Sequence, residues 1–256
     1  MVAEAEENNL GGKALDERRK RWYSCSLCEQ EYHGVVCCAL GWACWKTYVG
    51  RPETDALRVD AMTVLGSGLS AANHEEDALS VREAELSTKL RLGVSGQNIL
   101  VSQTNLANSY HVLGRLEQAL QLERGVYYKS LRLLGEEAED TLISVNNYAD
   151  SLFSLNRVEE AKSLLCKMIP VARRVSGDDD ENTLKMRWNY AKALYINDSA
   201  TLDDVHEAVT TLEDTTRIMR RVFGGAHPMT VDVEANLRDA RAALRAREAT
   251  QPSGGA

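Results

Sequence analysis

Three residue types return along this chain in one register, and that self-similarity limits the possible folds more than any other feature. Asn105, Asn147 and Asn189 stand 42 residues apart, and Asn236 follows after 47. Gly93, Gly135, Gly177 and Gly224 keep steps of 42, 42 and 47, while Ala119, Ala161 and Ala208 repeat at 42 and 47. A fixed period of this length marks a stacked array, because one unit cannot bury both of its faces and must lean on its neighbours. The five extra residues of the last step fall in Ile196–Asp204 (INDSATLDD), a turn that tolerates insertion. A degraded earlier copy runs through LGSGLSAANHEEDAL, aligned by Leu65, Leu69 and Ala78.

Each unit reads as two helices. Leu142, Val145, Tyr148, Ala149 and Leu152 recur at three- and four-residue steps, and after a turn near Asn156 so do Ala161, Leu165, Met168, Ala172 and Val175. Arg132, Arg174 and Arg221 precede the periodic glycines by three residues: the cation opposes the helix dipole and the glycine supplies a left-handed cap. Ala107, Ala149 and Ala191 in first helices, with Ala119, Ala161 and Ala208 in second helices, let paired helices approach closely; Tyr110, Leu152 and Leu194 fill the space between pairs. Cys166, among Leu164, Leu165 and Met168, is expected in the core. With two Phe and four Pro against abundant Ala, Leu, Glu and Arg, the chain is expected to be all-α.

The Asn-apolar-Ala step, the glycine before the turn and the small Ala of the second helix resemble tetratricopeptide repeats. The long period, in stretches such as LGEEAEDTLISVNNYADSLFSLNRVEEAKSLL and VFGGAHPMTVDVEANL, resembles the 42-residue repeats of kinesin light chains and related adaptors. The resemblance implies a right-handed superhelical solenoid of antiparallel helix pairs, about four repeats plus a capping helix, with first helices on the concave side. The array is expected over residues 51–248, in repeats 51–98, 99–140, 141–182 and 183–228 with a terminal helix at 229–248. Residues 1–24 read as an acidic and basic segment, helical or partly disordered, and residues 249–256 as a flexible tail. Two departures stand out: Gly66 in the first unit and Arg238 in the last half-repeat occupy small-residue positions. Arg238 points to a terminal helix facing water, and His227-Pro228 reads as the turn that opens it.

Ahead of the array, RRKRWYSCSLCEQEYHGVVCCALGWACWKTYVG holds five of the six cysteines. Cys25 and Cys28 form a C-x-x-C pair, whose spacing suits two thiolates on one tetrahedral zinc. Trp22, Cys25, Cys28 and Tyr32 together resemble the closing ligands of RING-CH-type zinc fingers. In that family the earlier ligands come first, and here no Cys or His precedes Cys25. Three readings stay open: upstream ligands lie before Met1, the finger has decayed to packing, or His33 with Cys37 or Cys38 completes a zinc site locally. Residues 37–48 read as a helix, apolar on most sides, that covers the first repeat. Residues 25–50 thus form a cysteine-rich segment, and Arg51-Pro52-Glu53 breaks it from the array.

A net charge of −8 argues against nucleic acid as a partner, since phosphate backbones call for clustered Lys and Arg. The segment MVAEAEENNLGG lacks the basic and apolar pattern of an export signal, and the run from Val35 to Trp45 is too short to span a bilayer. The expectation is a cytoplasmic monomer. His33, His74, His111, His206 and His227 fall in no H-E-x-x-H spacing, and neither a G-x-S-x-G elbow nor a phosphate loop occurs, so no catalytic residue is assigned. The resemblance instead places Asn105, Asn147, Asn189 and Asn236 toward a peptide groove, where amides can hold an extended backbone. Asn108, Asp150 and Lys192 lie one turn on, followed by His111, Phe153 and Tyr195, with Lys185 one turn before Asn189. The alternative role for these asparagines is to bridge adjacent helices. The function implied is an intracellular scaffold or adaptor that holds a peptide segment of a protein partner. The second function implied is the substrate-recruiting part of a RING-CH-type ubiquitin ligase.

Overall fold

The computed structural model describes residues 20–250 apart from residue 198. The expectations for residues 1–19 and 251–256 fall outside the described residues. Ten helices follow one another among the described residues: α1 (Gly34–Tyr48), α2 (Ala56–Ala71), α3 (Glu75–Arg91), α4 (Gly96–Val112), α5 (Leu116–Leu134), α6 (Glu139–Ser154), α7 (Val158–Val175), α8 (Glu181–Ile196), α9 (Leu202–Phe223) and α10 (Pro228–Thr250). No strand occurs among the described residues, apart from an isolated bridge between Ser24 and Glu31. The fold is an all-α helical repeat.

The helix ends explain the period. Short turns inside three hairpins pass through the left-handed region at Asn73, Gly114 and Asn156, and the turns between hairpins do so at Gly93, Gly135, Gly177 and Gly224. The enlarged turn before α9 has its own device, a capping box in which Thr201 and Asp204 satisfy each other's backbone amides. Thr201 and Lys162 of α7 hold the Asp204 carboxyl well below the usual carboxylate range, and the Lys162 ammonium lies 2.9 Å from it. This contact fastens one second helix to the next.

The chain divides after Leu122 into two compact units. In the second unit, α6, α8 and α10 are the first helices of successive hairpins; α8 packs against both α6 and α10, as well as against α7 and α9. Ala149, Ala161, Ala191 and Ala208 are fully buried at these contacts, where a larger side chain would hold the helices apart. Leu142, Val145, Leu152, Leu165, Met168, Leu184, Leu194 and Leu212 fill the remaining space. The last-turn arginines do more than oppose a dipole. Arg174 pairs with Glu137 at 2.8 Å and Arg221 with Asp179 at 2.6 Å, each reaching the turn of the preceding repeat. These pairs are exposed, so each adds at most about 1 kcal/mol.

Two expectations for α7 are corrected. Cys166 is exposed rather than core, and the buried stripe runs Val158, Ala161, Leu165, Met168, Val171 and Ala172, leaving Val175 exposed. Cys166 lies about 100° round the helix from Leu165, toward solvent. Pro170, four residues on, shares that exposed face, where its missing N–H and its ring are tolerated most easily.

The first unit is built differently. Helix α1 lies against α2, with Cys44, Tyr48 and Ala61 buried together under Trp22, Trp45, Leu57 and Val64. The approach is close because glycines face backbone on both sides. A β-carbon at Gly68 would stand 2.7 Å from the Cys37 carbonyl oxygen and 3.0 Å from the Cys38 α-carbon, and one at Gly41 would stand 3.1 Å from the Leu65 α-carbon. Gly66, which departs from the repeat pattern, instead makes room for a side chain: its nearest neighbour is the Arg82 γ-carbon at 3.3 Å. Helix α3 then carries charge on its buried stripe. Arg82 meets Glu75 at 3.2 Å and bonds the Ser109 hydroxyl, while Lys89 meets Glu85 at 2.6 Å with Ser102 and Thr63 at 2.8 Å. Removing one member of such a buried pair costs about 3–5 kcal/mol, because its partner charge stays behind.

Gly68→Ala is expected to force α1 away from α2 and to destabilise the first unit by about 1–3 kcal/mol. Gly66→Ala should disturb it less, since the flexible Arg82 stem can yield. Urea unfolding followed by tryptophan fluorescence in a Trp188→Phe background, which leaves Trp22, Trp42 and Trp45 of the first unit as reporters, compares the two midpoints. Equal midpoints for Gly68→Ala and the native chain would refute the close-approach account.

Candidate functional site

The first helices of the second unit bring several of the expected residues into contact in pairs. Asn189 Nδ2 on α8 donates to Asp150 Oδ1 on α6 at 2.9 Å, and the Lys192 ammonium lies 5.3 Å from the centre of the Phe153 ring. On the other side of α8, the Tyr195 hydroxyl donates to Asn236 Oδ1 on α10 at 3.1 Å. Burial first, then the Asp239 charge, push the Tyr195 phenol up to about 12, so it remains a donor at neutral pH. Asn236 Nδ2 also donates to its own helix, to the Asp232 carbonyl at 3.2 Å. Lys185 sits one turn before Asn189, paired with Glu181 at 2.7 Å. Asn147 is half-buried on α6.

Polar groups therefore cross from helix to helix along the row. The asparagines do some of the bridging that the sequence left open as an alternative, although Asn189 and Asn236 each have hydrogen-bonding capacity beyond these contacts. A neighbour of Asn147 has the more buried bridging role: Asn146 donates to the Asn182 carbonyl at 3.1 Å, tying α6 to the start of α8. Asn105 is half-buried on α4 of the first unit, with Asn108 and His111 exposed on the same helix.

Sequence reasoning missed Glu123. It lies on α5 in register with the buried positions Ala119, Leu120, Val126, Tyr127 and Ser130, and it is 2% exposed. Its Oε2 is buried without a hydrogen-bond partner. Burial, with a smaller contribution from the Asp150 charge, pushes the Glu123 carboxyl up to about 8. A charged letter on an apolar stripe was the available signal.

The cysteine segment forms a tight knuckle. The Cys25 amide donates to the Gln30 carbonyl at 2.8 Å, the Glu29 amide donates to the Cys25 carbonyl at 2.9 Å, and Glu29 adopts φ 58° between them. The backbone amides of Cys28 and Leu27 lower the Cys25 thiol below its usual value, aided by the Cys28 and Tyr32 side chains, which favours the thiolate that binds metal. Two thiols supply half of a tetrahedral set. Among the described residues no group of three or more His, Cys, Asp or Glu is placed to hold a metal ion, so His33 and Cys37 do not gather with this pair. Cys44 is buried and Cys37 and Cys38 are half-buried along α1, where burial raises the Cys37 thiol. No helix among the described residues is long and apolar enough to cross a membrane.

Comparison with known proteins agrees on the fold. Residues 99–139 match the family model for the tetratricopeptide repeat, which coincides with the second expected repeat. No curated protein matches the sequence significantly. Among solved structures, BtubC (BKLC) from P. vanneervenii superposes with a TM-score of 0.62 at 16% identity, over 85% of this chain and 93% of that one. A singly substituted form of a Podosopora anserina kinesin-light-chain protein with nearly identical TPR-like repeats superposes with a TM-score of 0.59 at 18% identity, over 86% of this chain and 92% of that one. A second structure of that Podosopora anserina protein gives 0.58 at 17% identity, over 87% and 93%.

Glu123 generates a pH dependence. Its folded-state pKa is raised from the usual 4.5 to about 8, so folding favours the protonated acid. Stability should therefore fall as pH rises from about 4.5 and reach its lower plateau above about 8. Glu123→Gln is expected to remove this slope and to raise the melting temperature at pH 8 more than at pH 5. Parallel melting curves for both proteins across that range would refute the assignment.

Proposed function

We propose that this chain is a non-catalytic adaptor that holds an extended peptide segment of a protein partner along the first helices of its repeats. What supports this reading is the set of contacts between α6, α8 and α10, Asn189 with Asp150, Lys192 over Phe153 and Tyr195 with Asn236, with Asn147 half-buried on α6. Side-chain amides both donate and accept, so spaced asparagines suit a peptide backbone, while Lys192 and the aromatic rings add charge and apolar contact. The Asn189–Asp150 and Tyr195–Asn236 bonds fix these side chains before a partner arrives, which lowers the ordering cost of binding. Asn105, Asn108 and His111 on α4 provide the same residue types in the first unit. The partner is a protein or peptide; a cytoplasmic, monomeric state accompanies this reading.

The test uses a peptide selected on the immobilised chain from a random library. The double substitution Asn147→Ala and Asn189→Ala should weaken its binding by about tenfold or more, equivalent to about 1.4 kcal/mol, with helicity unchanged by circular dichroism. Unchanged affinity in the double variant would remove this surface from the account.

A second reading draws on the knuckle at Cys25 and Cys28: the chain is the substrate-recruiting part of a RING-CH-type ubiquitin ligase. A turn whose amides stabilise a thiolate favours it over decay to packing. Cys25 and Cys28 would be two of the zinc ligands, and the remaining ligands are not found among the described residues. Metal analysis of the purified chain should find zinc that is lost with Cys25→Ser and Cys28→Ser. Zinc-free native protein would leave the adaptor reading alone. Ubiquitin transfer by the purified chain, given activating and conjugating enzymes, would favour the ligase reading.

A further inference from the structure

The last two helices enclose a second feature, a cleft of about 580 Å³ between α9 and α10. Its walls hold Arg217 and Arg220 from α9 and Arg238 and Arg241 from α10, facing Glu213 and Glu234. Four guanidiniums thus meet two carboxylates, a local reversal of sign on a chain whose net charge is −8. The pairing leaves cationic capacity over. Arg220 takes Glu234 at 2.6 Å and Arg241 takes Glu213 at 2.6 Å. Arg217 shares Asp214 with the buried Arg187. Arg238 is exposed and makes no ion pair among the described residues.

The floor is the independent observation. It is formed by Leu237 and Thr216, and Thr216 is 5% exposed with its Oγ1 buried and without a hydrogen-bond partner. A buried, unsatisfied hydroxyl carries a desolvation cost. Thr141, Thr215 and Thr230 carry it too, but of the four only Thr216 lines this cleft, where a polar group seated above would meet it. The position fits a polypeptide. Here α10 packs against α9 and α8, and Arg238 stands where a repeat would carry a small residue.

We infer that the α9–α10 cleft is a docking site for an acidic peptide segment of a partner protein, with Arg238 and Arg217 receiving its carboxylates and Thr216 contacting it at the floor. Guanidinium forks match carboxylates in planar, two-pronged pairs, and the cleft volume falls within the range of about 300–1,000 Å³ usual for ligand sites. This site is separate from the row of asparagines on the first helices and does not depend on it.

The probe is a fluorescently labelled short oligo-glutamate peptide, titrated with the full chain at low salt and read by anisotropy. Binding is expected to weaken about tenfold in Arg238→Glu and severalfold in Thr216→Val, and to fade as salt screens the exposed cleft. Lys167→Glu, on the exposed face of α7, should leave it unchanged. The assignment is overturned if the probe does not bind, if Arg238→Glu binds as tightly as the native chain, or if Lys167→Glu weakens binding as much as Arg238→Glu does. Inorganic polyphosphate is the comparison ligand: equal affinity for it would mean a general attraction for anions and would equally overturn a peptide site. Circular dichroism of each variant separates a lost contact from a lost fold.

Discussion

Everything in the second unit follows from how closely helices of neighbouring repeats can approach. Ala149 and Ala191 on first helices, with Ala161 and Ala208 on second helices, are fully buried at the contacts, so helix surfaces meet with little more than a methyl group between them. Larger residues then occupy the spaces beside these contacts, and the registers of Leu152 and Leu194 follow. The distance between α6 and α8 that results is short enough for Asn189 to reach Asp150 and for Lys192 to lie over Phe153. The polar row is thus a consequence of small residues below it.

The first unit meets the same demand by other means. Helix α1 is not part of the 42-residue pattern, yet it presses against α2 because Gly41 and Gly68 allow backbone to meet backbone. Farther along, the core between α2, α3 and α4 is partly ionic. Glu75, Arg82, Glu85 and Lys89 lie on the buried side of α3 and are satisfied by one another and by Thr63, Ser102 and Ser109. Such groups add little net stability, but each fixes its partners in one arrangement. Gly66 belongs to this arrangement, since the Arg82 stem passes over it.

Periodicity made much of this readable beforehand. The turn at Asn156, the left-handed glycines, the buried alanines and the helix of residues 37–48 were all legible, because each is set by local backbone preference or by a step of three or four residues. Neighbouring letters do not imply neighbouring directions. Cys166 stands beside Leu165 in the chain, yet one residue along a helix turns a side chain by about 100°, which carries it from the core to solvent. The buried charges of α3 and Glu123 of α5 are not legible in an apolar pattern, because they occupy stripe positions with polar letters. The hydroxyl of Thr216 beneath four arginines had no local mark at all, since α9 and α10 contribute to the cleft from separate parts of the chain.

What could be known from the letters alone was the class of fold, the repeat register and the residue types available on the first helices, since all three depend on short-range spacing. The pairing of Asn189 with Asp150, the burial of Glu123 and the cleft around Arg238 emerged only when helices were set against one another. Charge and hydrogen bonding act over a few ångströms in space, and a repeat array places residues about 40 positions apart within that reach. For that reason the architecture is legible in the sequence and the polar surfaces between helices are not.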